Sequence, residues 1–197
     1  MIVEYFEEIR KDIKCNVKRD IYSINGAILY KDSDNALYHY FFKNVNIEDV
    51  KYLAFSKCRL FPDTLGTQGD YLKIEPNYPK VVNNINMGGI YFTEDYREPK
   101  YISAIFTINK NFVENYLDMQ TDNQEIIVAI QDSKVIFCTL TKRLVNKPIN
   151  IEKIWKGVKR VNCGMIDSTE SNLYLFSNNS YYTVKLPFSN KKKKKIY

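Results

Sequence analysis

One imidazole serves the whole chain. His39, in Leu37-Tyr38-His39-Tyr40-Phe41-Phe42, is the one side chain whose ordinary titration falls near neutral pH, so any scheme needing a histidine base must pass through it. It alternates with Tyr38 and Tyr40 along an apolar run, which favours a structural place on a strand over a catalytic one. Asp32 and Asp34 stand two apart, and paired carboxyls can hold a cation or divide acid and base roles when a pocket separates them. Their setting, Asp32-Ser33-Asp34-Asn35, closes a turn through side-chain to backbone hydrogen bonds, and turn chemistry is the stronger reading. Cys15, Cys58, Cys138 and Cys163 are dispersed without a CxxC pair, as expected of small buried hydrophobes in a reducing compartment. With one histidine and no recurring ligand spacing, no zinc site is expected. Gly66-Thr67-Gln68-Gly69 lacks the frame of a phosphate loop. No Ser-His-Asp or Cys-His set can be assembled, so the expectation is a non-enzymatic protein with no metal centre and no tightly held cofactor.

Charge narrows the partners. The formal net charge is +6, and the five lysines Lys191, Lys192, Lys193, Lys194 and Lys195 supply five of it, leaving the body near +1. That body has no basic field for nucleic acid. The tail could bind nucleic acid or anionic lipid with salt-sensitive affinity, or be a solvated end, and the solvated end is favoured. No apolar run is long enough to span a membrane, and Glu4, Glu7 and Glu8 occupy the place where a signal peptide is basic and then apolar, so an intracellular, cytoplasmic protein is expected.

The elements that must position these residues read as strands. The chain holds 16 Tyr and 11 Phe but only 7 Gly, and aromatic enrichment of this kind favours strands. A single globular β domain over 1–190 is expected, followed by a basic tail over 191–197. Val3 to Lys14 reads as a short helix from the spacing of Phe6, Ile9 and Ile13. Ile21 to Lys43 reads as strand, turn, strand; Asn46 to Val50 as a capped helical turn; KYLAFSKCRLF and DYLKIEP as strands around a loose loop. Two further strands are expected in VVNNINMGGIYFTED and YISAIFTI, then a short helix over Asn111 to Met119. Glu125 to Leu140 is the clearest hairpin, turning at Asp132-Ser133. Three strands close the chain: Arg160 to Asp167, Asn172 to Phe176 and Tyr181 to Leu186.

Part of this pattern repeats. SINGAILYKDSDNALY aligns with RVNCGMIDSTESNLY, pairing Asn25 with Asn162 and Asn35 with Asn172, and both copies then reach a Leu-Tyr pair, Leu37-Tyr38 and Leu173-Tyr174. Asn86 and Ile127 occupy comparable places in INMGGIYF and EIIVAIQ, so four units are expected to start near 25, 86, 127 and 162. The last two steps fit the blades of a β-propeller, each of which buries its faces against neighbours, and the first, from 25 to 86, requires an insertion. An irregular β-sandwich or barrel and a mixed α+β fold remain the alternatives.

Trp155-Lys156-Gly157, the strand through Gly164 and the aromatic hairpin NLYLFSNNSYYTV together resemble a hemopexin repeat over about 35 residues, with a partial match over Ser23 to Phe42. Asn25-Gly26-Ala27 and Asn162-Cys163-Gly164 stand where that family has Asp-Ala-Ala. The resemblance implies a four-bladed propeller serving as a binding module, with inner strands lining a channel that holds an ion on main-chain oxygens. The corresponding channel-lining positions would be near Asn25, Asn86, Ile127 and Asn162. The function so implied is recognition of a protein partner or a small polar ligand or cation. A self-assembling structural protein of viral type, with a tyrosine-rich contact surface, and a nucleic-acid accessory protein acting through the lysine tail are the rival readings.

Overall fold

The computed structural model describes residues 24–186 apart from 33, 35, 48, 62–70, 93–100 and 179. The expected helix over Val3 to Lys14, Cys15, the Gly66–Gly69 loop and the lysine tail lie outside the described residues.

The fold is mostly β, as the composition predicts. Three antiparallel meanders follow one another along the chain. The first is β1 (Gly26–Lys31), β2 (Leu37–Ile47), β3 (Val50–Phe61) and β4 (Tyr71–Ile74), with β5 (Lys80–Val81) sharing the edge of β3 that β4 uses. The second is β6 (Ala104–Asn109), β7 (Glu125–Gln131), β8 (Lys134–Cys138) and the two-residue β9 (Ile149–Asn150). The third is β10 (Cys163–Ile166), β11 (Asn172–Ser177) and β12 (Ser180–Lys185). The first two meanders form one sheet in the order β4-β3-β2-β1-β6-β7-β8-β9, and the third is a sheet of its own. The strands joining the two halves of the large sheet, β1 and β6, run parallel and meet at Gly26 opposite Ile105. A Cβ at position 26 would collide with the Ile105 main chain, so only glycine lets the strands approach there.

The core lies along β7 and β8. Ile126, Ile127, Val128, Ala129 and Ile130 in one strand and Val135, Ile136, Phe137 and Cys138 in the next are fully buried on both faces, which is why neither reads as alternating. Trp155 closes one end, edge-on to Phe137 at 6.4 Å. The third sheet lays Leu173 and Leu175 into the same cluster, and Gly164 sits so close over Phe106 that an added Cβ would strike the ring.

Several expected elements differ. Asn46 to Val50 is the tight end of a hairpin, not a helical turn: Ile47 pairs with Val50, and Asp49 adopts φ +63°, a left-handed conformation that aspartate tolerates. The strand expected in VVNNINMGGIYFTED is instead α1 (Asn84–Met87) followed by a 3-10 turn, Gly88–Ile90. Asn83 and Asn86 bond reciprocally there, each side chain accepting from the other's backbone N–H, at 3.0 and 2.9 Å, which favours a helical turn over a strand. The helix expected over Asn111 to Met119 is two 3-10 turns, Lys110–Phe112 and Glu114–Tyr116, and Ile151–Ile154 forms the short helix α2.

Candidate functional site

The first strand of each meander opens with the same device. Asn25 donates its N–H to the Phe42 carbonyl at 2.9 Å, and its Oδ1 accepts from the N–H of Asn44 at 2.7 Å. Asn162 donates to Phe176 at 2.8 Å and accepts from Asn178 at 2.9 Å. Ser103 donates to Ile130 at 2.6 Å, while its Oγ accepts from Asp132 at 3.2 Å. In all three, a side-chain oxygen just before the leading strand takes the N–H two residues beyond the one whose carbonyl its own backbone uses. This latch pins the start of β1, β6 and β10 to the neighbouring strand of the same meander.

Asn25 and Asn162 are therefore matched positions. Asn86 and Ile127 are not members of that set: Asn86 lies in α1, its Nδ2 donating to the Val81 carbonyl, and Ile127 lies inside the second strand of its meander with no exposure. The second meander begins at Ser103 instead. A serine filling an asparagine's hydrogen-bonding role hides the repeat from a comparison of residue types.

The three latched strands lead to one groove of about 370 Å3, with β6 as its floor and β1 and β10 as its walls. Ala27 and Leu29 line one side, Gly164 and Met165 the other, and Phe106 and Ile108 come from β6. Its polar end holds Asn109, Glu125, Asp167 and Glu170. Asn109 acts twice, accepting the Asn111 N–H through Oδ1 and donating Nδ2 to Glu170 at 2.9 Å. Burial pushes the Glu125 carboxyl above its ordinary value, and the nearby Glu170 charge adds to that shift. Asp167 goes the other way, to about 2, because the Asn172 side chain donates to it and Ser171 N–H and the Thr169 hydroxyl add further bonds. Two carboxyls lining one groove are thus set apart, one fixed as an anion and one held toward its neutral form.

No family model and no curated protein matches this sequence.

A second polar cluster covers the buried face of the first meander. Lys57 Nζ meets Asp32 Oδ2 at 2.6 Å and lies 3.7 Å over the Tyr38 ring; Tyr40 donates to the same carboxylate at 2.8 Å. Tyr38 donates to Asp34 at 2.7 Å and accepts from Arg59 at 2.6 Å. Burial, reinforced by the bond to anionic Asp32, drives the Tyr40 hydroxyl far above its ordinary range. Burial alone would lower Lys57, but the bond and charge of Asp32 outweigh it and hold the ammonium. Asp32 and Asp34 are therefore more than turn residues: they anchor an aromatic and basic network, a role that spacing alone could not assign because Lys57 and Arg59 come from β3.

His39 sits in β2 opposite Leu29 on one side and Cys58 on the other. Its Nδ1 is buried without a hydrogen-bond partner, and burial holds the imidazole below its ordinary pKa. Cys58 and Cys138 are buried, as expected of small hydrophobes, and burial raises the Cys138 thiol well above the usual range; Cys163, at the start of β10, is exposed instead. Among the described residues no group of three or more His, Cys, Asp or Glu side chains is placed to hold a metal ion. Among the described residues no helix is long and apolar enough to cross a membrane.

Proposed function

We propose a non-enzymatic binding protein whose three meanders are the blades of a propeller-like arrangement, open between the third and the first, with a small cationic ligand taken in the groove where the leading strands meet. The hemopexin resemblance favours the same reading, since it implies a binding module whose inner strands line an ion-holding channel. The observation that carries it is the convergence: three strands that open with one shared latch face a single groove, and the charged groups at its polar end are carboxylates. A cation there gains attraction from Asp167 and Glu170 and relieves the strain that Glu170 puts on Glu125. The carboxylate and amide oxygens of Asn109, Glu125, Asp167 and Glu170 suit a polyamine or a hydrated metal ion, since both are recognised by oxygen donors.

The test is thermal melting with spermidine, calcium and magnesium. A ligand binding only the folded chain stabilises it by about 2.7 kcal/mol at a hundredfold excess over its dissociation constant. The expected result is a raised midpoint that the double variant Glu125→Gln, Glu170→Gln loses. Unchanged midpoints with every cation, at concentrations up to the millimolar range, would remove the reading.

A further inference from the structure

The first and second meanders each end in a strand that covers their outer edge, β4 on β3 and β9 on β8. The third does not. Among the described residues β12 pairs only with β11, so a six-residue edge is left open. We propose that this edge pairs with the β12 of a second copy, antiparallel and centred on Thr183, joining two three-stranded sheets into one of six.

Register identifies the groups involved. Ser177 faces Ser180 across the hairpin turn, and Leu186 N–H donates to the Ser171 carbonyl, so the even positions of β12 direct their backbone groups to β11. Tyr181, Thr183 and Lys185 direct theirs outward. A two-fold axis through Thr183 uses all three, placing Thr183 opposite its own copy and Tyr181 opposite Lys185 in both directions. Each of these pairs is of the hydrogen-bonded kind, which makes six bonds across the axis.

The side chains agree with that pairing. Tyr182 falls opposite Val184, an aromatic with a β-branched residue, and threonine opposite threonine is likewise a favoured cross-strand pair. Lysine facing tyrosine repeats chemistry the chain already uses, with Lys57 over Tyr38 at 3.7 Å and Lys80 over Tyr78 at 4.7 Å. No like charges face each other. A parallel pairing would instead set Lys185 beside Lys185 and start both lysine tails from the same end, which charge repulsion opposes. Tyr181, 62% exposed and the most exposed large hydrophobic residue on the described surface, is covered in the same step, along with the flank of its ring contacts with Tyr174 and Phe176 at 6.1 Å each. The surface used is separate from the groove, so this interface stands whether or not the groove takes a ligand.

Sedimentation velocity of the full chain over a wide concentration range, with residue-resolved hydrogen exchange, tests it. The expected result is a reversible dimer in which the N–H groups of Tyr181, Thr183 and Lys185 gain protection as concentration rises, while those of Tyr182 and Val184 do not change. Thr183→Pro removes an outward donor at an edge where proline is tolerated, and Thr183→Lys sets like charges on the axis; each should weaken dimerisation about tenfold or more. Asn111→Lys, which adds the same charge to the second meander, should leave it unchanged. A monomer at every concentration overturns the proposal, whether its outward amides exchange fast, as in a bare edge, or slowly, as in an edge covered by the same chain. A dimer indifferent to both Thr183 variants overturns it as well.

Discussion

His39 shows what one residue in an unfavourable setting does to the energetics. Its imidazole is held below the ordinary value by burial, so the fold favours the neutral ring, whereas the unfolded chain binds a proton with a pKa of about 6.5. Below that pH the unfolded state carries more protons than the native one, and stability falls as the solution is acidified. Chemical denaturation between pH 7.5 and 5 should show a loss that flattens in His39→Leu. An identical slope in that variant would mean that the ring titrates as it does in water. Glu125 acts with the opposite sign and in a lower window: its raised carboxyl pKa makes the fold the better proton binder near the carboxylate range, so protonation there offsets part of the loss. Such roles are invisible to spacing. His39 reads correctly as a strand residue from its tyrosine neighbours, but the buried, unpaired Nδ1 depends on what covers that face.

At the level of elements, the latches set the order of importance. Asn25 lies in a partly buried bond, whereas those of Ser103 and Asn162 are exposed. Truncation to alanine should cost about 1 kcal/mol for Asn25→Ala and less for Ser103→Ala and Asn162→Ala, read as a fall in the urea midpoint at constant slope. Equal losses, or none at Asn25, would separate the shared geometry from any shared energetic role. The strands themselves are largely legible in the sequence. The hairpin over Glu125 to Cys138 follows from two apolar runs around Asp132-Ser133, and the last meander from its Ser/Asn punctuation. Residues 82–90 are misread because Val82, Ile85 and Ile90 favour strands, while the reciprocal bonds of Asn83 and Asn86, a local effect, turn the backbone. The second meander's start is missed because Ser103 keeps the acceptor and changes the residue. The groove is out of reach for another reason: Glu125 opens β7 and Glu170 lies in the turn between β10 and β11, and only tertiary packing brings them together.

Across the molecule, the buried cluster runs without interruption from Ile28 and Phe42 in the first meander, through Ile127 and Phe137 in the second, to Leu173 and Leu175 in the third. A contiguous core of this kind should unfold as one cooperative unit. The fluorescence of Trp155, which caps the second meander, and the far-ultraviolet signal of all three should therefore be lost at the same denaturant concentration. An earlier tryptophan transition would show that the meanders melt separately.

The single rung between Gly26 and Ile105 bears on how the chain is assembled. Among the described residues every other strand pairing stays within one meander, so the contact order of each meander is low and its hairpins need little loop entropy to close. During synthesis the amino-terminal meander can take shape on the ribosome before the second has been translated. What must wait is the parallel seam, which makes the glycine at its centre the residue on which late docking turns.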